Sequence, residues 1–129
     1  MLQDKRAQAV SQIHRVLRPG GIFGVGEPIL NRTLTDDDAI ALYGPDDPCQ
    51  FRQCFRTIEW TADLLRNSGF EVLSARPHAQ AKQMWADFYG PWLDRDGRAK
   101  EARRQPEIDI WRRDDGQFHG IGTVVARRL

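Results

Sequence analysis

No apolar run in this chain approaches the roughly 20 residues that a membrane-spanning helix needs. Its first ten residues, MLQDKRAQAV, lack the apolar stretch of a secretory signal. These two absences lead us to expect a cytoplasmic protein without a membrane partner. A dominant charge sign is missing too: 19 Lys and Arg stand against 18 Asp and Glu, a net +1. That balance supplies no general drive toward nucleic acid, and the basic pairs in ARRQ and the terminal RRL are too short for a nucleic-acid footprint. Cysteine is scarce, with only Cys49 and Cys54 in PCQFRQCF. A structural metal site usually asks for four ligands, and neither the three scattered histidines nor another thiol stands near this pair. We expect incidental reduced thiols and no metal. Internal repeats and low-complexity tracts are absent as well.

What is present is ordinary globular composition, 40% hydrophobic and 29% charged over 129 residues, enough for one domain. In residues 4–17, DKRAQAVSQIHRVL, the residues Ala9, Ile13, Val16 and Leu17 recur at helical spacing, with Asp4 a candidate cap. Pro19 stops the helix and Gly20 can take the positive φ of a tight turn. IFGVG, 22–26, then reads as a strand whose lack of a period of two predicts burial on both faces. Thr35 is placed to cap DDDAIALY, and Gly44 and Pro45 to end it. Thr57 precedes a helix over 58–68 in which Ile58, Thr61, Ala62 and Leu65 share a face, with Gly69 at its left-handed stop. FEVLSA, 70–75, follows as a strand. Strand, helix and strand predict a β-α-β unit with a right-handed crossover. Met84, Trp85, Phe88 and Trp92 share one helical stripe with Ala81, and Pro91 ends regular helix near Tyr89. Residues 94–105 predict at most a solvated helix. EIDIWRR and QFHGIGTVVARR predict two strands about an Asp-Gly hairpin.

Three of these stretches, taken in order, resemble a known family. IHRVLRPGGIFGVGEP, FRTIEWTADLLRNSGFEV and the terminal GIGTVVARR are similar to the C-terminal half of class I S-adenosylmethionine-dependent methyltransferases. There a helix ends in a VLxPGG turn feeding the fifth strand, the next helix leads through GF into the sixth, and the seventh returns antiparallel between them. The resemblance implies an α/β fold: a partial Rossmann-like sheet of family strands 5, 6 and antiparallel 7 with flanking helices. It divides the single domain 1–129 into helix plus strand 5 (4–27), an insertion (28–56), helix plus strand 6 (57–76), a helical insertion (77–116) and strand 7 (117–127). It implies S-adenosylmethionine as cofactor and a small organic molecule as methyl acceptor. In that family the cofactor site lies in the N-terminal half: a glycine-rich loop after the first strand, an acidic residue ending the second and a polar residue near the fourth. GIFGVG sits within a strand and does not join a strand to a helix start, so this chain alone is not expected to bind the cofactor.

Candidate site residues follow. Glu27, placed at the carboxyl end of its strand, could orient an acceptor or take its proton; solvation before Pro28 is the alternative. His78, just past the sixth strand, could be a base but has no evident partner. Tyr43, Trp85, Phe88 and Tyr89 could wall an organic acceptor, Trp85 and Tyr89 over an apolar cavity near Glu27; packing of an amphipathic helix would also account for the stripe. His14 reads as structural or solvated and His119 as a cross-strand packing residue. Two functions remain open: the acceptor side of a methyltransferase, inactive alone, or a non-enzymatic module that pairs with itself or a partner. A missing fourth strand leaves an edge that predicts a homodimer, formed near Ile22 and Val25 or by exchange of 79–92, or pairing with a complementing N-terminal half.

Overall fold

The computed structural model describes residues 2–129, with side chains from Lys5 onward; the Asp4 cap lies outside the described residues. The elements are α1 (Leu2–Val16), β1 (Ile22–Leu30), α2 (Asp36–Tyr43), α3 (Phe51–Cys54), α4 (Ile58–Asn67), β2 (Phe70–Pro77), α5 (Ala81–Tyr89), α6 (Gln105–Asp114) and β3 (His119–Arg128). The strands form one sheet in the order β1-β3-β2, with β3 antiparallel to both neighbours. β1 and β2 therefore run in the same direction with the chain's last strand between them, the arrangement the resemblance implies. No helix among the described residues is long and apolar enough to cross a membrane.

Local chemistry explains most boundaries. After α1, Gly20 takes φ 81°. Its amide donates to the Arg128 carbonyl (2.8 Å), and the Arg128 amide donates to the Gly21 carbonyl (2.9 Å), fastening the Pro-Gly-Gly turn to the end of β3. Thr57 Oγ1 accepts from the Trp60 amide at the start of α4, and Gly69 stops that helix at φ 89°. α1 and α4 cover one face of the sheet, where Val10, Leu65, Phe70, Val124 and Ala126 form the main core. A second cluster joins α2 to α6 through Ala39, Leu42, Ile110 and Phe118.

Four expectations require correction. EIDIWRR belongs to helix α6, with Pro106 in the first turn, where its missing N–H costs nothing. Asp115 (φ 49°) and Gly116 (φ 77°) give α6 its left-handed stop, so Asp-Gly ends a helix and makes no hairpin. β1 reaches Leu30, placing Glu27 inside the strand opposite Gly122. Pro28 is accommodated because β1 is an edge strand here, where a missing ladder donor can face outward. β1 is not buried on both faces: Phe23, Val25 and Ile29 turn toward the helices, while Ile22 is 53% exposed and Gly24, Gly26 and Pro28 are open. Residues 94–105 contain an Asp94-centred turn, with Oδ1 accepting from the Asp96 and Arg98 amides, and one 3-10 turn at Ala102–Arg104.

Candidate functional site

The carboxyl end of β1 meets the start of β3, with Leu30 opposite His119. α2, α3 and α6 gather over that corner. α2 starts in a capping box, in which Thr35 Oγ1 accepts from the Asp38 amide (3.0 Å) and Asp38 Oδ2 accepts from the Thr35 amide (3.2 Å). It ends by carrying Tyr43 inward, where its hydroxyl lies 2.7 Å from His119 Nε2. Behind the imidazole stands Asp114, the last residue of α6. Its Oδ2 accepts from the His119 amide (3.0 Å) and lies 3.4 Å from Nδ1, while Oδ1 accepts from the Phe118 amide (2.8 Å). All three side chains are buried.

A carboxylate facing Nδ1 favours a proton there and leaves Nε2 to accept from the Tyr43 hydroxyl. Burial, reinforced by Asp114 and Asp47, pushes the Tyr43 phenol far above its ordinary range, so it remains a donor. Burial also pushes the Asp114 carboxyl up. The hydrogen bonds from the His119 ring and the His119 and Phe118 amides outweigh that, and hold it below the ordinary value. Tyr43, His119 and Asp114 thus form a relay in which the phenol gives its proton to the imidazole only as its oxygen takes one from elsewhere, with a fixed anion behind the ring.

His119 borders a cavity of about 20 Å3 together with Phe51, Phe55, Trp85, Tyr89 and Trp111. The Phe55 ring lies 4.7 Å from the His119 ring, and Tyr89 stacks on both Trp85 (5.8 Å) and Trp111 (4.9 Å). Tyr89 donates its hydroxyl to Glu107 Oε2 (3.2 Å), and burial followed by the Glu107 charge pushes its phenol up. Trp85 Nε1 donates to the Gly120 carbonyl (3.4 Å). On the other side of Phe55 lies a recess of about 270 Å3 bordered by Leu30, Thr33, Arg52, Arg56, Thr57 and Trp60.

The structure brings some predicted residues together and separates others. Tyr43, Trp85 and Tyr89 meet at this corner. Phe88 touches the rings of Trp85 and Tyr89 but is 52% exposed, so it sits at the rim. Glu27 is elsewhere, and does not border the cavity of Trp85 and Tyr89. Its carboxylate accepts from Thr61 Oγ1 (2.6 Å), lies 3.8 Å from Arg6, and faces a groove of about 210 Å3 between α1 and α4. His78 is exposed beyond β2, 2.9 Å from Thr123 Oγ1, and borders neither cavity. His14 packs edge-on against Phe70 (5.3 Å). Cys49 and Cys54 are free thiols. His119 and Asp114 are the candidate site residues that the sequence did not suggest. The signal for Asp114 was its place at a helix end, hidden by the hairpin reading.

No family model matches the sequence, and no curated protein matches it by sequence. Solved structures do match in three dimensions. The cyclase SpnF matches at a TM-score of 0.61 and 21% identity, over 95% of this chain and 44% of its own. A Galdieria sulphuraria protein described as a sarcosine dimethylglycine methyltransferase matches at 0.65 and 12% identity, over 94% and 46%. An S-adenosylmethionine-dependent methyltransferase from Geobacter sulfurreducens, in complex with S-adenosyl-L-homocysteine, matches at 0.52 and 20%, over 95% and 52%. This is the methyltransferase fold, in part. The chain spans about half the length of these methyltransferase-fold structures.

The described residues do not by themselves fit the cofactor of that fold. Gly24 and Gly26 lie within β1, opposite Val125 and Thr123, and form no loop against a helix start. Cavities bordered by carboxylates hold about 20 Å3 at Glu107, 170 Å3 at Asp114 and Asp115, and 210 Å3 at Glu27, all below the roughly 300 Å3 or more of a typical ligand pocket. The larger recess has arginines but no carboxylate on its border to take ribose hydroxyls.

Proposed function

We propose that this chain is the acceptor-side half of an S-adenosylmethionine-dependent methyltransferase for a small organic molecule, inactive alone and completed by a cofactor-binding half that the described residues do not contain. One observation carries the reading: the matches cover nearly all of this chain and only about half of theirs. The methyl donor's sulfonium brings its own reactivity, so the protein's part is placement and proton removal. His119 is the base. An acceptor proton reaches Nε2 directly or across the Tyr43 oxygen, and Asp114 balances the imidazolium.

Calorimetric titration with S-adenosylhomocysteine tests the division. The chain alone should show no saturable binding at micromolar concentration, and saturation would overturn it. Coexpression with a glycine-rich strand-loop-helix segment encoded just upstream should yield transfer of a labelled methyl group. A coding region lacking any such segment would favour the second reading, a non-enzymatic module. That reading draws on SpnF, a cyclase in the same fold, which shows that the fold alone does not dictate methyl transfer. Either reading gives the free edge of β1 a partner, and for the isolated chain we propose a homodimer there. Sedimentation equilibrium at low micromolar concentration reads it directly, and a species of 14.8 kDa would refute it.

A further inference from the structure

We infer that the acceptor is an anion: the recess beyond Phe55 holds its carboxylate or phosphate while its reacting atom faces His119. This rests on the acceptor-side reading and deepens it.

The recess is fixed to the end of the sheet. The Leu30 amide donates to the Arg56 carbonyl (2.9 Å), and Leu30 and Thr57 form a parallel bridge, so the Arg56–Thr57 backbone cannot drift from β1. Arg52 and Arg56 share its border. Among the contacts that orient Arg56, Nη1 donates to the carbonyls of Arg52 (3.1 Å) and Phe55 (3.3 Å), and the guanidinium lies 5.5 Å from the Trp60 ring. The Arg6 guanidinium lies 5.6 Å from the same ring. Glu27 is engaged by Thr61 and Arg6, and Asp36, which pairs with Arg52, has a side chain 84% exposed. An ion pair that open to water is weak, so an incoming anion can take Arg52 from it. Planar guanidinium forks match carboxylate and phosphate oxygens in a way that few other side chains do.

The neighbouring cavity has the opposite character. Its border is aromatic, with Glu107 among its residues and Asp114 behind His119, a poor place for an anion. At about 20 Å3 it admits little more than one heavy group, whereas the recess is over ten times larger. Charge and size thus orient the acceptor in the same sense. Its anionic bulk lies among the arginines, and one reacting group passes Phe55 toward His119.

The test uses the full chain, with no methyl donor, titrated separately with inorganic phosphate and with benzoate. Trp60 fluorescence and amide chemical shifts at 52–60 report binding. At least one probe should saturate in the millimolar range or tighter, and the preferred probe tells phosphate from carboxylate. Arg52→Gln and Arg56→Gln should each weaken it about tenfold or more, the loss of a charge-assisted contact. Arg15→Gln, on exposed α1, should leave it unchanged. Arg52 is itself largely exposed, so its variant carries the test should Arg56→Gln disturb folding. Lack of saturation by both probes, or equal weakening by Arg15→Gln, overturns the inference. Anion binding without methyl transfer by the completed protein would overturn the proposed function alone. Transfer to a neutral acceptor without anion binding would overturn this inference alone.

Discussion

β1 and β3 are nearly the same length, pair along all of β1, and each contain two glycines at alternate positions, yet their surroundings differ. β3 has a strand on both sides, and Val124 and Ala126 are 1% and 0% exposed. β1 has one neighbour and leaves Ile22 in water. The glycines sharpen the contrast. A Cβ at Gly122 would meet Ile58 and Ile29 methyls at 3.0 and 3.1 Å, so close packing within this chain explains that glycine. A Cβ at Gly24 or Gly26 would meet nothing nearer than 4.0 or 3.8 Å. Glycine weakens a strand unless something approaches its backbone, and none of the described residues crowds that face of β1. The composition of β1 fits a layer that the described residues do not supply, and is consistent with the proposed half-enzyme.

The comparison is broken most severely by a charge. Val124→Asp buries a carboxylate among α1, α4 and the sheet with no partner, and should cost about 3–5 kcal/mol, enough to unfold a small domain. Ile22→Asp, on the exposed side of β1, should change the monomer's stability by less than about 0.5 kcal/mol while abolishing self-association. Urea denaturation and sedimentation equilibrium of the two variants read both effects. Equal destabilisation would mean that β1 is already as enclosed as β3.

Next in size is the anchor at the start of β3. Asp114→Asn should cost about 1.5–3 kcal/mol at neutral pH, because the carboxylate accepts from two buried amides and faces the His119 ring. The pH dependence has a definite sign. The folded Asp114 carboxyl titrates below its unfolded value of about 3.9, so its stabilisation is complete above that pH and fades as pH falls through the folded value. The gap in urea midpoint between wild type and Asp114→Asn should therefore narrow in acid, and a constant gap would refute the charge-based account.

Legibility in the sequence tracked the distance over which each feature is decided. The Thr35 and Thr57 caps and the Gly69 stop are settled within four residues, and the structure has all three. The α6 error came from reading Ile108-Asp-Ile110 as alternation, when Pro106 and Asp115-Gly116 carried the helix start and stop. Both isoleucines are buried, but by a helix rather than by a strand. Glu27 was misplaced because Pro28 suggested a strand end, which an edge strand does not require. The site at His119 was beyond reach for a different reason. Tyr43 and His119 are 76 residues apart, and they meet only after α2 and α6 dock on the sheet. Packing and catalytic histidines look alike in a strand until that docking is known.

The smallest effects test the glycines themselves, and here the two strands should answer with opposite signs. Gly122→Ala must push against two isoleucine methyls and should cost about 1–3 kcal/mol by overpacking. Gly24→Ala meets open space, and Gly24 is not among the glycines at positive φ, so alanine fits its backbone without strain. Removing the extra freedom of glycine from the unfolded chain should then stabilise the isolated chain by about 0.4–1 kcal/mol. The same methyl would stand where the missing layer is proposed to approach. Gly24→Ala should therefore raise the urea midpoint of the chain alone and weaken its association with a cofactor-binding half. A gain in stability with association untouched would show that β1's glycines serve no partner, and would leave the open face as the chain's finished surface.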